Sequence, residues 1–260
     1  MTIRRAVVTG ASSGIGAETV RVLRREGWDV VGVARRADRL AALAAETGAD
    51  TVVADITRDE DVAALAEHVR SSGGADVLIN NAGGALGLDS VEDSALEDWE
   101  QMYDSNVLGT KRVIAALLPV LRESVEEGRS ASILAVTSIA GREAYAKGGG
   151  YNAAKFAERA LLRALRLDLV GEPIRVIDIA PGMVKTEEFS LVRFGGDQAR
   201  ADAVYEGVET PLTAEDVAQT IRFAVELPPF VNLDEVVIKP VAQAAPYSVA
   251  KGPLRVRDAR

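Results

Sequence analysis

Tyr151 and Lys155 stand four residues apart in the run Tyr151-Asn152-Ala153-Ala154-Lys155. On a helix they share one face, so the ammonium can lie beneath the phenol. A phenol ordinarily titrates near pH ~10, too high for easy proton exchange around neutrality. A neighbouring cation favours the phenolate and pulls that value down by roughly 1–3 units. The pair therefore has the chemistry of a general acid and base for an alcohol or a carbonyl. By itself the spacing also arises by chance. It gains meaning only if the chain supplies a redox cofactor and a place for it.

A candidate place lies near the start of the chain. An apolar run ends in Thr9-Gly10-Ala11-Ser12-Ser13-Gly14-Ile15-Gly16 and leads straight into an amphipathic stretch. Glycines between a strand and a helix permit a tight turn and close approach of a pyrophosphate, whose charge the helix N-terminus favours. The spacing is GxxxGxG rather than the more widespread GxGxxG. NAD sites usually carry an acid about 20 residues beyond the glycines, on the ribose 2′-hydroxyl. Here that position is Ala34, followed by Arg35 and Arg36. No carboxylate repels a 2′-phosphate and two guanidiniums can bind one. NADP is the expected cofactor and Arg35 its expected reader, with Arg36 open to a second reading as a solvated charge at a helix start.

The elements that must hold these groups alternate along the chain. Strands are expected at Arg5–Thr9, Asp29–Ala34, Thr51–Ala54, Val77–Asn80, Ser132–Thr137, Arg175–Ile179 and Glu235–Lys239. Helical periodicity covers Ala17–Glu26, Arg39–Thr47, Glu60–Ser71, Ala95–Val125, Tyr151–Leu169 and Ala214–Glu226. Near-continuous apolar strands alternating with helices indicate an α/β fold, a doubly wound parallel sheet of seven strands covered on both faces. Neither a repeat nor a linker divides residues 1–260, which read as a single domain. Residues 183–211 fall outside the rhythm, lack a strand, and read as a segment covering the substrate. The tail 241–260, with Lys251, Arg255, Arg257 and Arg260, reads as loose.

Composition narrows the chemistry. The 260 residues are 48% hydrophobic, carry a net charge of −9, and contain no cysteine and one histidine. Thiolate chemistry and disulfides are excluded. His68 lies in an amphipathic run, which argues against a metal site or a Ser-His-Asp triad. Neither nucleic acid nor an anionic membrane is an expected partner for an acidic chain without a basic run. Met1-Thr2-Ile3-Arg4-Arg5 leads directly into the first strand, and no apolar run approaches the ~20 residues of a membrane span. A cytoplasmic protein is expected.

With these residues assembled, the chain resembles the short-chain dehydrogenase/reductase family across residues 4 to 240. The resemblance rests on ordered motifs: Thr9–Gly16, Asp55, Asn80-Asn81-Ala82-Gly83, Asn106 in Asp104-Ser105-Asn106-Val107, and Ser138 in Val136-Thr137-Ser138-Ile139-Ala140-Gly141. Tyr151 and Lys155 then follow Ser138 by 13 and 17 residues, and Pro181-Gly182-Met183-Val184-Lys185-Thr186 closes the series. The resemblance implies a Rossmann-type fold with NADP held by Gly10, Ser12, Ser13, Gly14, Ile15, Gly16, Arg35 and Arg36. Asp55 and Ile56 would sit at the adenine, and Asn81, Ala82 and Gly83 at the turn after the fourth strand. Pro181, Gly182, Val184 and Thr186 would flank the nicotinamide. It further implies Tyr151 as proton donor and Lys155 as its partner and a ribose ligand. Ser138 would bond the substrate oxygen, and Asn106 would hold a helix kink and a water.

Thr186–Phe194 and Val231-Asn232-Leu233-Asp234-Glu235 resemble the NADP-dependent serine and 3-hydroxy acid dehydrogenases within that family. This implies a small hydroxy acid or aldehyde as substrate, with Arg193, Arg142 and Lys185 as candidate carboxylate anchors. Relatives are commonly tetramers, so the resemblance implies a homotetramer, with a dimer as the alternative, for which Val113–Leu118 and Ala160–Leu162 are candidate faces. The alternative is a non-catalytic NADP-binding regulator or scaffold, which would not need Ser138, Tyr151 and Lys155 together.

Overall fold

Runs rich in Val and Ile set the centre of the molecule. In a computed structural model, which describes residues 4–256, β1 (Arg5–Thr9), β4 (Val77–Asn80), β5 (Ala131–Val136) and β6 (Ile174–Pro181) are buried along their whole length. Strands that apolar on both faces must be covered on both. With β2 (Asp29–Ala34), β3 (Asp50–Val53) and β9 (Glu235–Ile238) they form one seven-stranded sheet in the order β3-β2-β1-β4-β5-β6-β9. Every pairing in it is parallel. The doubly wound Rossmann-type fold expected from the pattern is the one observed.

Helices α1 (Gly14–Arg25) and α2 (Ala37–Thr47) cover one face with α9 (Ala214–Glu226). They close a core that includes Val20, Leu40, Ile79 and Ile221. On the other face α3 (Asp59–Ser71), α5 (Gly109–Glu126) and α6 (Gly149–Asp168) bury Leu65, Leu117, Ile133 and Leu162. From β1 the sheet runs outward to β2 and β3 on one side and to β4 on the other. That reversal opens a crevice at the carboxyl ends of β1 and β4, where ligands bind in open α/β sheets.

Three expectations need correction. The single helix at Ala95–Val125 is instead α4 (Leu96–Tyr103), a π-helical turn at Asp104–Leu108, and α5. The Asn106 amide donates to the Met102 carbonyl at 2.8 Å. A side chain that takes a backbone acceptor in this way disturbs the regular ladder. Residues 183–211 do contain a strand. Val184–Lys185 (β7) pairs with Leu212–Thr213 (β8), pinching off α7 (Phe189–Arg193) and α8 (Gln198–Ala203). The tail is not loose over its described part. Gln243–Ala245 (β10) and Ser248–Val249 (β11) form a hairpin, Gln243 accepts from the Met183 N–H at 2.7 Å, and Gly252 bonds Gly207. Met1–Ile3, Arg257 and Arg260 lie outside the described residues.

Val113, Ile114 and Leu117 are almost wholly buried inside the protomer, as is Leu162. Much of the apolar surface expected to face a second copy is therefore used by the fold itself. Among the described residues no helix is long and apolar enough to cross a membrane.

Candidate active site

The glycine loop, Arg35-Arg36, Asp55, Asn81, Ser138 and the Pro181–Thr186 segment follow the carboxyl ends of strands, while Asn106, Tyr151 and Lys155 stand on helical elements. Gly10 adopts φ +70°, a left-handed conformation natural to glycine. A Cβ on Gly16 would overlap the Gly10 carbonyl, and one on Gly10 would press on the Asn81 amide at 2.7 Å. Asn81 ties the fourth strand to the first, its amide donating to the Thr9 carbonyl at 3.0 Å. Thr9 Oγ1 in turn accepts the Asn81 and Ala82 N–H groups, both at 3.0 Å. Ser13, at the N-cap of α1, makes no side-chain capping bond, and the first turn holds no acid. Uncapped N–H groups behind a tight glycine turn suit the diphosphate of a dinucleotide.

The end of β2 carries a cluster of arginines. Arg36 donates to Ser12 Oγ and Ser13 Oγ at 2.9 Å each and pairs with Glu188 at 2.7 Å. Arg39 adds a second contact to Glu188 at 3.5 Å. The hydrogen bond from Arg36 holds the Glu188 carboxyl below the ordinary carboxylate range, against a smaller push from burial. Arg35 is more open, 73% exposed and 3.9 Å from Asp55. Arg36, the residue with the blander reading, is thus the one engaged with the glycine loop. Burial would raise the Asp55 carboxyl, but hydrogen bonds from Thr57 and the charge of Arg35 bring it below its usual value. Ile56 is buried at its side. Thr186 stands 3.5 Å from where a Gly14 Cβ would lie, so the segment after β6 meets the glycine loop, with Val184 packed on the core and Pro181 and Gly182 leading into it.

Tyr151 and Lys155 lie in the first two turns of α6, 7% and 4% exposed. Lys155 Nζ sits 5.9 Å from the Tyr151 ring centre and donates to Glu158 Oε2 at 2.7 Å and toward the Val136 carbonyl at 3.4 Å. Burial alone would drive the ammonium down; Glu158, Tyr151 and Asp178 outweigh it and hold Lys155 above the ordinary lysine range. Ser138 follows β5 and caps a short 3₁₀ turn, Oγ accepting from Ala140 N–H at 3.1 Å. Asn106 is fully buried. Its amide donates to the Gly84 and Met102 carbonyls, while Oδ1 has no partner. Gly83 lies against that oxygen, and a Cβ there would be 3.8 Å from Lys155 Nζ. The unpaired acceptor and the ammonium therefore both lie beside Gly83.

The three candidate anchors separate. Arg193 donates Nε to the Gly87 carbonyl at 2.9 Å, lies 5.8 Å from the Tyr151 ring centre and 5.5 Å from that of Tyr145, and has a buried Nη2 without a partner. Lys185 is exposed over the Tyr205 ring. Arg142 pairs with Asp178 at 2.7 Å and Glu235 at 3.4 Å. Its charge is thus shared with two carboxylates, although its buried Nε has no partner.

A family model for short chain dehydrogenase matches residues 4–193. The chain is 55% identical over 252 residues to an uncharacterized oxidoreductase of Mycobacterium tuberculosis (strain ATCC 25618 / H37Rv), covering 97% of each. The chain belongs to the short-chain dehydrogenase family. This short-chain dehydrogenase is also 40% identical over 245 residues to serine 3-dehydrogenase of Agrobacterium fabrum, covering 92% and 94% of the two chains. A solved structure, the closed form of serine dehydrogenase complexed with NADP+, matches it with a TM-score of 0.87 and 34% identity, over 98% of this chain and 100% of that one.

Four further residues of the dehydrogenase's candidate site had no role assigned to them from the sequence, although Glu188 and Phe189 lie in the Thr186–Phe194 run. Glu188 and Phe189 sit where α7 begins, the Phe189 ring meeting the Tyr151 ring edge-on at 5.9 Å. Tyr145 packs under Arg193, and burial pushes its phenol up while the arginine opposes. None of these three has a local signal, because distant segments meet only in the fold. Glu158 did have one, since it lies three residues beyond Lys155 on the same helical face.

Proposed function

We propose that this short-chain dehydrogenase interconverts an alcohol and its carbonyl with NADP(H), using Tyr151 as general acid and base, on a small substrate bearing an acid group. One observation carries the reading: a single buried phenol has the Lys155 ammonium at 5.9 Å and the Arg193 guanidinium at 5.8 Å from its ring centre. The first cation suits proton exchange. The second, with an unpaired N–H, suits a carboxylate held next to it. A relative that bears the name serine 3-dehydrogenase, and a solved neighbour complexed with NADP+, support both halves.

The glycine loop and the N-terminus of α1 would hold the diphosphate, and Arg36 with Arg35 the 2′-phosphate. When bound, the nicotinamide donates or accepts the hydride at the substrate carbon. Tyr151 gives its hydroxyl proton to the carbonyl oxygen as that oxygen gains the electron pair of the C=O bond. In oxidation the phenolate takes the proton back. Lys155 stabilises the phenolate, Ser138 Oγ orients the substrate oxygen, and Asn106 Oδ1 accepts a hydrogen bond on the route by which Tyr151 is reprotonated. The working unit in this reading is a homotetramer; exposed Tyr103, Leu108 and Phe156 on α4, the π turn and α6 offer a face for it. Light scattering tests this, a monomer being the contrary result.

The substrate reading is tested by steady-state assays with NADP+ and serine, 3-hydroxypropionate and 3-hydroxyisobutyrate, and with NADPH and neutral ketones. At least one hydroxy acid should react with a KM in the roughly micromolar to millimolar range usual for enzymes. If neutral ketones react and none of the acids does, the acid-substrate reading falls.

A further inference from the structure

Lys155 does not stand alone with Tyr151. Glu158 lies on the next turn, 1% exposed, with its carboxylate 2.7 Å from Lys155 Nζ. An ammonium has three hydrogens. One is directed at Glu158 and a second toward the Val136 carbonyl. The third has no partner among the described residues, and Gly83 and the Tyr151 ring lie near it. Two fixed partners thus aim the remaining one. Leaving a wholly buried acid on the helix face that carries the proton chemistry costs desolvation free energy, so packing alone does not explain it.

We propose that Glu158 is a positioning residue for the reaction, holding the Lys155 side chain charged and aimed at the Tyr151 face. The inference rests on the reading of Tyr151 as general acid and base. Other ionisable groups bear on the pair. Tyr151 shares its helix. Asp178 reaches in from β6, held by Thr137 Oγ1 and by Arg142 at 2.7 Å. Glu235 of β9 lies further out with Arg159 at 3.0 Å. Asp178 already has its own partners, so Glu158 is the carboxylate in direct contact with the ammonium. Burial raises the Glu158 carboxyl, and Lys155 offsets only part of that, so it stays above the ordinary carboxylate range. Without the acid, burial acts on the ammonium with much less opposition, and Lys155 loses its proton at lower pH.

Glu158→Gln keeps the shape and an acceptor oxygen but removes the charge. In alcohol oxidation with NADP+, the alkaline loss of kcat should move to lower pH by about one unit, giving a drop of up to about tenfold at the alkaline end of the profile and little change near pH 7. KM for the alcohol should change by less than about threefold, and NADPH affinity at pH 7, read by fluorescence titration, by a similarly small factor. Glu158→Asp should restore part of the profile. A Gln variant whose pH profile superimposes on the wild type, or whose kcat falls equally at all pH values, overturns the proposal. If the Gln variant does not fold, the Asp variant decides. Its alkaline limb must move the same way by a smaller amount, and an unmoved limb is the contrary result. A Tyr151→Phe enzyme that still turns over would reject the underlying mechanism. An inactive one beside an unaffected Glu158→Gln rejects only the role of Glu158.

Discussion

Two clusters of opposite charges serve this molecule, and they are built differently. At the end of β2, Arg35 and Arg36 are 73% and 42% exposed, with Glu188 as the main carboxylate between Arg36 and Arg39. On α6, the Lys155 and Glu158 side chains are 6% and 1% exposed, with Asp178 and Arg142 close by. Ion pairs in water contribute little and part easily. Buried ones are costly to form and costlier to break. In the proposed function, the exchangeable charges lie where a phosphate would enter and leave, and the immobile ones where a proton would be held.

Breaking the buried cluster should give the largest effect. Lys155→Met leaves Glu158 without its partner and should lower stability by about 3–5 kcal/mol in urea unfolding. Adding Glu158→Leu should recover most of it. If Lys155→Met costs less than about 1 kcal/mol, the contrast between the clusters is wrong. At the exposed cluster, Arg36→Ala should weaken NADPH by about 10–100-fold, the worth of lost charge-assisted hydrogen bonds, with NADH nearly unchanged. Arg35→Ala should do less; the reverse ranking, measured by fluorescence titration, would restore Arg35 as the main reader.

Glu188→Gln is the mildest test. Its carboxyl is held below the ordinary range chiefly by Arg36, so the pair adds stability above about pH 4.3 and loses it as pH falls further. The variant should flatten the acid arm of the stability curve between about pH 5 and 3 by less than about 1 kcal/mol. It should also tighten NADPH up to about fivefold, because the phosphate no longer competes for Arg36. Weaker binding would show that Glu188 helps rather than competes.

The sheet was legible because parallel strands covered on both faces must be apolar throughout, and Val30–Val33 or Ile133–Val136 leave no other reading. Tyr151, Lys155, Ser138 and the glycine loop were legible because local spacing carries their chemistry. Contacts between distant segments were not. Asn106 divides a helix through its own amide bond to Met102. The tail is fastened by Gln243 meeting Met183, sixty residues away. Arg36 rather than Arg35 reaches the glycine loop because Ser12 and Ser13 fold beneath it. Val113–Leu118 looks the same in sequence whether it faces a core or a second copy, and the sheet claims most of it.

The central claim is that Tyr151 moves the proton and does not hold the cofactor together. Tyr151→Phe, purified beside the wild type, tests it through NADPH affinity and single-turnover reduction of the best carbonyl substrate. The expected result is NADPH binding within about threefold of wild type and a rate reduced by about 10²–10⁴-fold. A variant that binds NADPH normally and keeps more than about a tenth of the rate would contradict it.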